Sequence, residues 1–462
     1  MDFCYKYENK CREGNERVRA TFLKSILGNL YPLPAEELPK QISADPGFSC
    51  RSFIFGDRTM STRATKRLFA DVLGPLLDGK GDIDCSNRGL TSLEGCPGIV
   101  AGNFNCSGNQ LTSLEGGPHT VTGDFSCSNN QLTSLEACPD EVHGDFDCSH
   151  NQLLSLEGAP KKVTGNFDCS ANQLTTLYGH LKKVGGDFSC SDNLLTSLNG
   201  APHKVGGDFA CSDNLLTSLE DAPREVGDFD CSHNQLTSLE GSPDEIHGDF
   251  DCSGNQLSSL AGCPNFIIGD FFCAGNQLTS LKGGPVVVYG NFDCSKHKLE
   301  SLKGAPKEVG GDFNCSGNLL TSLAGTPHEV CHFDCSNNQL TTLQGAPHKV
   351  SGNFSCSANR LTSLKGAPKK VKGSFNCSGN QLTTLDGVPK KVKGNFDCSA
   401  NQLTTLDGTL KKVGGDFICG GNAGIFDEEE ARATCSIKGN YIRSNNTRYS
   451  DITIANAMKL YE

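Results

Sequence analysis

The sequence lacks an excess of basic residues. It has 41 lysines and arginines against 53 aspartates and glutamates, which gives a formal net charge of −12 and a pI near 5.4. Proteins that bind nucleic acid usually carry a basic excess, so direct nucleic-acid binding is not expected. The sequence also lacks an apolar run of membrane-spanning length, and its polar beginning, MDFCYKYENKCREGN, is unlike a signal peptide. We therefore expect no membrane association.

The local patterns that accompany metal binding and nucleophilic catalysis are missing as well. No C-x-x-C pair occurs, so a zinc site is not expected. All eleven histidines lie between His119 and His348. The cysteines of the terminal segments therefore have no local histidine partner for nucleophilic chemistry. We predict no catalytic residue, no metal and no cofactor.

What the sequence does contain is one repeated unit. Of its 25 cysteines, 17 recur in steps of 21 residues, except for two steps of 20 residues that end at Cys231 and Cys335. A fixed period of this length predicts a solenoid. The recurring cysteines are Cys85, Cys106, Cys127, Cys148, Cys169, Cys190, Cys211, Cys231, Cys252, Cys273, Cys294, Cys315, Cys335, Cys356, Cys377, Cys398 and Cys419.

Each unit has a short strand followed by a turn. Phenylalanine stands two residues before the cysteine, as Phe167 stands before Cys169. Residues two apart on a strand point to the same side, so both should face the core. Asparagine follows three residues after the cysteine and leucine five and eight after, as in Asn172, Leu174 and Leu177. A Gly-x-Pro segment then returns the chain without room for a long helix.

These positions resemble the leucine-rich repeat, L-x-x-L-x-L-x-x-N-x-L. Phe167, Cys169, Asn172 and Leu174 take its second, third, asparagine and last positions, with Phe and Cys replacing the usual aliphatic residues. Units this short are similar to those of secreted bacterial effectors and of bacteriophage and bacterial repeat proteins. The resemblance implies an α/β fold, a curved solenoid with a parallel sheet on its concave face. It also implies a partner-binding role and no reaction.

We expect three regions: a helical N-terminal cap in 1–80, a solenoid of about 17 repeats in 81–424 and a short C-terminal cap in 425–462. Apolar residues at helical spacing predict a helix over Glu13–Tyr31 and another from near Ser61 to Leu77, with the proline-rich Pro32–Phe55 as a loop. An alternative for the N-terminal region is a functional domain of its own.

After Cys419 the repeat pattern fails. Asp427–Ser436 and Ser450–Tyr461 are predicted as short helices, and Asn440–Tyr449 as a polar connection. The two steps of 20 residues each lack one residue in the return segment, which we expect to alter local curvature only.

The cysteine column is expected to be packing rather than disulfide. Neighbouring cysteines should point in parallel, about one strand spacing apart, which is poor geometry for a bond. A free cysteine behaves as a small buried hydrophobic residue. A long column of unpaired thiols favours a reducing compartment, so we predict a cytoplasmic protein, in the host cytosol if it is viral or an effector.

The outward positions of the strand are rich in aspartate. Ten aspartates directly precede the phenylalanine or its equivalent, eight directly follow it, and Asp192 and Asp213 lie two residues after a cysteine. Against these 20 acidic residues stands a single Lys296. We predict an acidic face that binds a partner through Asp208, Asp228, Asp230, Asp249, Asp251, Asp270, Phe272, Asp293, Asp312 and Asp334.

Two other interpretations of these aspartates remain open. Aspartate and asparagine exchange in these columns, and either can hydrogen-bond the strand edge and turn, so the aspartates can be architectural. Cation binding is the other. Asp249–Ser253 imitates the start of an EF-hand loop, but the twelfth residue is Leu260 rather than glutamate, which excludes an EF-hand. Loose calcium binding by the row of carboxylates is the form of this interpretation that stays open.

One repeat departs from the pattern. Phe272 occupies an outward strand position that otherwise holds small or acidic residues, which is typical of an interface anchor or of drift in a single repeat. Apolar and basic residues lie close by in sequence: Phe266, Val286, Val287, Tyr289, Lys296 and Lys298.

The return segments carry a lysine stripe, which is usually a solubilising surface. Its lysines are Lys161, Lys162, Lys182, Lys183, Lys204, Lys307, Lys349, Lys369, Lys370, Lys372, Lys390, Lys391, Lys393, Lys411 and Lys412.

These observations together predict a non-catalytic scaffold, monomeric by default, that binds a protein with a basic surface, such as a host protein that normally holds nucleic acid. By analogy of repeat type, inhibition or sequestration of a host protein by a phage or bacterial factor is the expected use. Two alternatives stay open: a toxin or enzyme whose activity lies in residues 1–80, and a self-assembling structural protein.

Overall fold

The computed structural model describes residues 67–73 and 78–443. The helix predicted over Glu13–Tyr31, the loop Pro32–Phe55 and the helix Ser450–Tyr461 lie outside the described residues. So does the start of the second predicted helix, of which Phe69–Leu73 is described as helix α1.

Each repeat contributes one strand to a continuous parallel sheet of 18 strands. We call these the phenylalanine strands, because phenylalanine begins all but the first and the last. Phenylalanine pairs with phenylalanine in register from repeat to repeat, as Phe229 does with Phe250. The strands are Ile83–Asp84, Phe104–Asn105, Phe125–Ser126, Phe146–Asp147, Phe167–Asp168, Phe188–Ser189, Phe209–Ala210, Phe229–Asp230, Phe250–Asp251, Phe271–Phe272, Phe292–Asp293, Phe313–Asn314, Phe333–Asp334, Phe354–Ser355, Phe375–Asn376, Phe396–Asp397, Phe417–Ile418 and Tyr441–Ile442.

A second set of two-residue strands, here the valine strands, ends in most repeats with an inward-facing valine. They form four parallel sheets of six, two, three and six strands. The strands are Ile99–Val100, Thr120–Val121, Glu141–Val142, Lys162–Val163, Lys183–Val184, Lys204–Val205, Glu225–Val226, Glu245–Ile246, Phe266–Ile267, Val287–Val288, Glu308–Val309, Glu329–Val330, Lys349–Val350, Lys370–Val371, Lys391–Val392, Lys412–Val413 and Ser436–Ile437.

Two of the three breaks between these sheets have a direct cause in the shortened steps. In most full-length repeats the residue after the valine donates its N–H to the preceding valine carbonyl, as Gly206 does to Val184 at 3.1 Å. The 20-residue repeats lack that residue. Gly227 and Cys331 instead bond to Gly207 and Gly311. The missing residue therefore interrupts the valine sheet, an effect beyond the change of curvature that we expected.

The core is a set of stacked columns of identical residues. The phenylalanine, cysteine, valine and two leucine columns are all buried, and adjacent phenylalanine rings lie 5.0 to 5.9 Å apart between centroids. The described cysteines are free thiols, and burial raises the pKa of each thiol in the column, as at Cys85, where it reaches about 12. The prediction that the column is packing rather than disulfide is confirmed.

A buried asparagine ladder closes each turn. The Asn255 amide donates to the carbonyls of Cys231 at 3.0 Å and Cys252 at 3.1 Å, and its Oδ1 accepts the Leu236 N–H at 3.0 Å. Each asparagine thus joins two consecutive repeats by satisfying backbone groups that would otherwise be buried without partners. Two repeats depart from this pattern, with Arg88 and His297 in the asparagine position.

The C-terminal end continues the solenoid by one strand. Helix α2, Glu428–Thr434, confirms the helix predicted in Asp427–Ser436, and Asp427 caps it by accepting the Glu430 N–H at 2.8 Å. The predicted polar connection over Asn440–Tyr449 is wrong at its start, because Tyr441–Ile442 is a strand that pairs with Phe417–Ile418. The Asn440 N–H donates to Asp416 Oδ1 at 2.8 Å, the same bond that aligns the repeats.

Within the described ranges, no helix has the length and hydrophobicity needed to cross a lipid bilayer.

Candidate protein-binding face

Two columns of polar side chains flank the phenylalanines of the large sheet. The preceding column holds the residue directly before each phenylalanine, and the following column holds the residue directly after it. The ten residues predicted to bind a partner lie in these two columns, on seven consecutive repeats. Asp208, Asp228, Asp249, Asp270 and Asp312 belong to the preceding column, and Asp230, Asp251, Phe272, Asp293 and Asp334 to the following one.

The preceding column is a hydrogen-bond ladder between repeats. The Asp228 N–H donates to Asp208 Oδ1 at 2.7 Å, and the Asp249 N–H donates to Asp228 Oδ1 at 2.7 Å. Asparagine serves equally well, since Asn166 Oδ1 accepts the Asp187 N–H at 2.8 Å. One oxygen of each side chain is therefore architectural, as the alternative interpretation of these aspartates expected. The ladder does not require the negative charge.

The following column makes turns within each repeat. Asp230 Oδ1 accepts the Ser232 N–H at 2.9 Å, and Asp251 and Asp293 accept the N–H groups of Ser253 and Ser295 at 2.8 Å. Asparagine again makes the same bond, as Asn314 does with Ser316 at 3.1 Å. The negative charge of the carboxylate is therefore not needed for this turn.

The register places an aromatic ring between two carboxylates. Phe272 pairs with Asp251 on one side and with Asp293 on the other, and Asp230 lies directly opposite Asp251. All of these side chains are half-buried. Like charges on adjacent strands repel, so this row of aspartates is destabilising unless a partner or a proton neutralises it.

The pKa values of several of these carboxyls are raised, first by burial and then by the charges of neighbouring aspartates. Burial raises the pKa of Asp251, and the charge of Asp230 raises it further. Burial also raises the pKa of Asp249, with additional repulsion from Asp270 and Asp228. The pKa values of Asp208 and Asp334 are raised in the same way, by burial first and then by neighbouring aspartates.

Two aspartates counted with this face lie elsewhere. Asp192 and Asp213 occupy the turn after the strand, with left-handed φ angles of 56° and 51°. Lys296 occupies the equivalent turn position with φ of 59°. These three side chains therefore belong to the rim beyond the strand and not to the strand columns.

The apolar residues near Phe272 in sequence also lie elsewhere. Phe266 and Val287 begin valine strands and pair with each other in register, on a sheet separate from that of Phe272. Ile268–Asp270 makes the corner between the two strands of that repeat. Sequence proximity was misleading here, because a solenoid turn distributes neighbouring residues over different faces.

The lysine stripe follows the valine strands, but acidic residues interrupt it. Lys162 lies 3.7 Å from Glu141, and Lys161 lies 3.0 Å from Asp140. The glutamates of this column were missed, although aligning the residue two places after each proline would have found them. They are Glu141, Glu225, Glu245, Glu308 and Glu329.

Three exposed side chains, two on valine strands and one directly after a valine strand, approach one another. His247 Nε2 lies 3.1 Å from Glu225 Oε1 and 3.9 Å from Glu245 Oε2. Their ligand atoms lie within 4.8 Å of one another, which is close enough to hold a cation. A hydrogen bond between the imidazole and Glu225, with Glu245 close enough for an ion pair, accounts for the arrangement. The sequence-based expectation of no metal site stays a prediction.

Comparison with known proteins bears on the fold. Neither a protein-family model nor a curated protein matches the chain. Among solved structures, YopM from Yersinia enterocolitica WA-314 is 20% identical, with a TM-score of 0.55 over 77% of this chain and 91% of that one.

Two further structures are similar to the chain. The leucine-rich effector protein YopM from Yersinia pestis is 16% identical, with a TM-score of 0.43 over 81% of this chain and 90% of that one. A leucine-rich-repeat protein from Leptospira interrogans is 17% identical, with a TM-score of 0.42 over 77% and 95%. Together with the 17 stacked turns, the match to the Yersinia enterocolitica structure shows that this chain has the fold of a leucine-rich-repeat solenoid.

Proposed function

We propose that the protein is a non-catalytic scaffold that binds a basic protein surface through the acidic part of its phenylalanine sheet. Proteins with this fold generally act as protein-interaction scaffolds. The observation that carries the finer proposal is Phe272, a half-buried aromatic ring held in register between Asp251 and Asp293. An aromatic anchor bordered by charge is typical of an interface centre.

The architecture alone does not account for the charges on this face. Asparagine makes the same backbone bonds at several repeats, yet aspartate occupies Asp228, Asp230, Asp249, Asp251 and Asp270 in succession. At Asp249 and Asp251, burial and then repulsion from neighbouring aspartates raise the pKa and so oppose ionisation. A basic partner would relieve that repulsion. The free energy by which the repulsion destabilises the free protein would then favour binding.

Lysine and arginine side chains are the groups that fit this face. Arginine suits it best, because its guanidinium both pairs with carboxylates and stacks on an aromatic ring. A protein whose basic surface normally holds nucleic acid has this chemistry, and occupation of that surface would inhibit or sequester it. The unpaired thiol column is consistent with action in a reducing cytosol.

The test uses substitutions that remove charge without removing the backbone bonds. The site variant carries Asp230→Asn, Asp251→Asn, Asp293→Asn and Phe272→Ser. The control variant carries Asp84→Asn, Asp147→Asn and Asp168→Asn, which remove the same charge from the same column in earlier repeats, away from Phe272. Each immobilised protein is exposed to cytosol of a candidate host, and the retained proteins are identified by mass spectrometry.

We expect wild type and the control to retain a basic protein that salt releases. The site variant should bind it at least about tenfold more weakly, a loss typical of removing a central anchor. Equal retention by all three proteins, or retention of acidic proteins only, would contradict the proposal. Circular dichroism and thermal melting of each variant establish that it is folded.

A further inference from the structure

A second surface on the valine strands carries apolar side chains that the fold does not use. Phe266 and Ile268 in one repeat, and Val286 and Tyr289 in the next, are 60%, 53%, 37% and 62% exposed. Val287, half-buried, pairs in register with Phe266. We call these five residues the valine-strand patch.

The patch has no packing role within the solenoid. The inward-facing residues of the same strands, Ile267 and Val288, are fully buried and supply the core contacts. Charged residues occupy the position of Phe266 in most repeats, and small or polar residues such as Thr122 and Thr164 occupy the position of Ile268. Clustered exposed apolar residues with no internal partner mark a binding surface on soluble proteins.

Charges bracket the patch on both sides along the solenoid. The outward residues that begin successive valine strands are lysines, then two glutamates, then Phe266 and Val287, then two glutamates, then lysines again. All are exposed or half-buried. In order they are Lys162, Lys183, Lys204, Glu225, Glu245, Phe266, Val287, Glu308, Glu329, Lys349, Lys370, Lys391 and Lys412.

This charge order selects the kind of partner. A complementary surface presents an apolar anchor over the patch, basic groups over the glutamates on both sides and acidic groups beyond them. A second copy of the chain does not meet this requirement. A twofold arrangement centred on the patch sets glutamate against glutamate and lysine against lysine, whether the two solenoids run parallel or antiparallel.

We propose that the valine-strand patch is a second protein-binding site, which takes a segment with an aromatic or aliphatic anchor flanked by lysine or arginine. This site lies on a different sheet from the acidic face and does not depend on the function proposed for that face. The two sites allow the solenoid to hold two partners, or two parts of one partner.

The test is selection from a displayed library of random peptides, with wild type as bait. The patch variant Phe266→Gln with Tyr289→Gln serves for counter-selection. Ile99→Gln is the matched control, because Ile99 holds the same valine-strand position far along the solenoid and is 56% exposed. Selected peptides are synthesised with a fluorescent label, and their affinities are measured by fluorescence polarisation.

We expect enriched peptides with an apolar residue between basic residues. They should bind wild type and the Ile99 variant equally and the patch variant at least about tenfold more weakly. The site variant of the acidic face, with its three asparagines and Phe272→Ser, should bind these peptides as wild type does, which separates the patch from the acidic face. Absence of enrichment, or peptides with acidic flanks, would overturn the proposal. So would a concentration-dependent dimer in sedimentation equilibrium that the patch variant abolishes.

Discussion

Aspartate and asparagine are interchangeable for the backbone of this solenoid but not for its charge. Asp251 illustrates both roles, because its Oδ1 accepts the Ser253 N–H at 2.8 Å while Asp230 lies opposite on the next strand. The side-chain oxygen holds the turn, and the charge repels its neighbour. From the sequence, we expected these aspartates either to bind a partner through their charge or to hold the backbone through a side-chain oxygen. The contacts are compatible with both at the same residue.

The pH dependence of one substitution separates the two roles. Burial and Asp230 raise the pKa of Asp251 above its usual 3.8, so the folded state binds this proton more tightly than the unfolded state. The stability of wild type therefore falls as pH rises through that range. We expect Asp251→Asn to stabilise the protein at pH 7, by about 1 kcal/mol or less, with the gain vanishing below about pH 4.

Thermal melting across this pH range provides the measurement, and Asp251→Ala is the control. Alanine removes the Ser253 acceptor as well as the charge, so it should destabilise relative to asparagine at every pH. A constant benefit of Asp251→Asn from pH 3 to pH 7 would refute the role assigned to the charge.

His297 interrupts the buried asparagine ladder. Its Nδ1 accepts the Asn276 N–H at 3.1 Å, but its Nε2 is buried without a partner, and burial lowers the pKa of the ring. We expect His297→Asn to stabilise the protein by about 1–3 kcal/mol, since an asparagine there would bond the carbonyls of Cys273 and Cys294. Urea denaturation measures the change.

The reverse substitution, Asn276→His, is the matched control and should destabilise by a similar amount. An unchanged free energy of unfolding in His297→Asn would contradict this prediction. It would mean that the buried Nε2 of His297 does not destabilise the asparagine ladder.

Among elements, the valine strands are more sensitive to spacing than the phenylalanine strands. Deletion of one residue after Val226 and Val330 breaks the valine sheet, whereas Phe209 and Phe229 still pair in register across the shortened step. The phenylalanine strand is held by the core column, the ladder of side-chain oxygens and the asparagine ladder. The valine strand has a buried valine column and its own backbone bonds, but neither of the two side-chain ladders.

Restoring the missing residue should rejoin two of the valine sheets. One threonine inserted between Val226 and Gly227 would supply an amide for the Val205 carbonyl, as Thr164 does for Val142 at 3.2 Å in a full-length repeat. We expect slower hydrogen exchange around this junction and a gain of about 0.5–1.5 kcal/mol.

The same insertion between Val205 and Gly206 is the control. That repeat already has full length, so a further residue should disrupt the backbone hydrogen bonds of its valine strand and lower the free energy of unfolding. Faster hydrogen exchange after the insertion between Val226 and Gly227 would contradict this prediction. It would mean that the native 20-residue step is more stable than a full-length step at this junction.

As a whole molecule, the solenoid distributes a simple repeat over two sheets with different chemistry. Its stability comes from contacts between neighbouring turns, so a surface position can change in one repeat without disturbing distant repeats. That freedom allows Phe272 on one sheet and the valine-strand patch on the other to depart from the common pattern. We propose that it allows two separate binding surfaces on one scaffold.

Much of this architecture follows from periodicity. The 21-residue step predicts the repeats, because identical units can bury their apolar sides only by stacking. The spacing of phenylalanine, cysteine and leucine within each unit predicts the inward-facing residues and the free thiols. The pattern also predicts the acidic columns beside each phenylalanine. These features depend on local spacing alone.

Other features depend on contacts between repeats, which no single repeat encodes. Three examples join residues about 20 positions apart in the sequence. A carboxylate oxygen of one repeat accepts an N–H of the next, Tyr441–Ile442 pairs with Phe417–Ile418, and His247 approaches Glu225. The corner at Ile268–Asp270 decides that Phe266 and Phe272 lie on different sheets. A one-dimensional period predicts which residues recur, whereas the turn of the backbone in space determines which recurring residues meet.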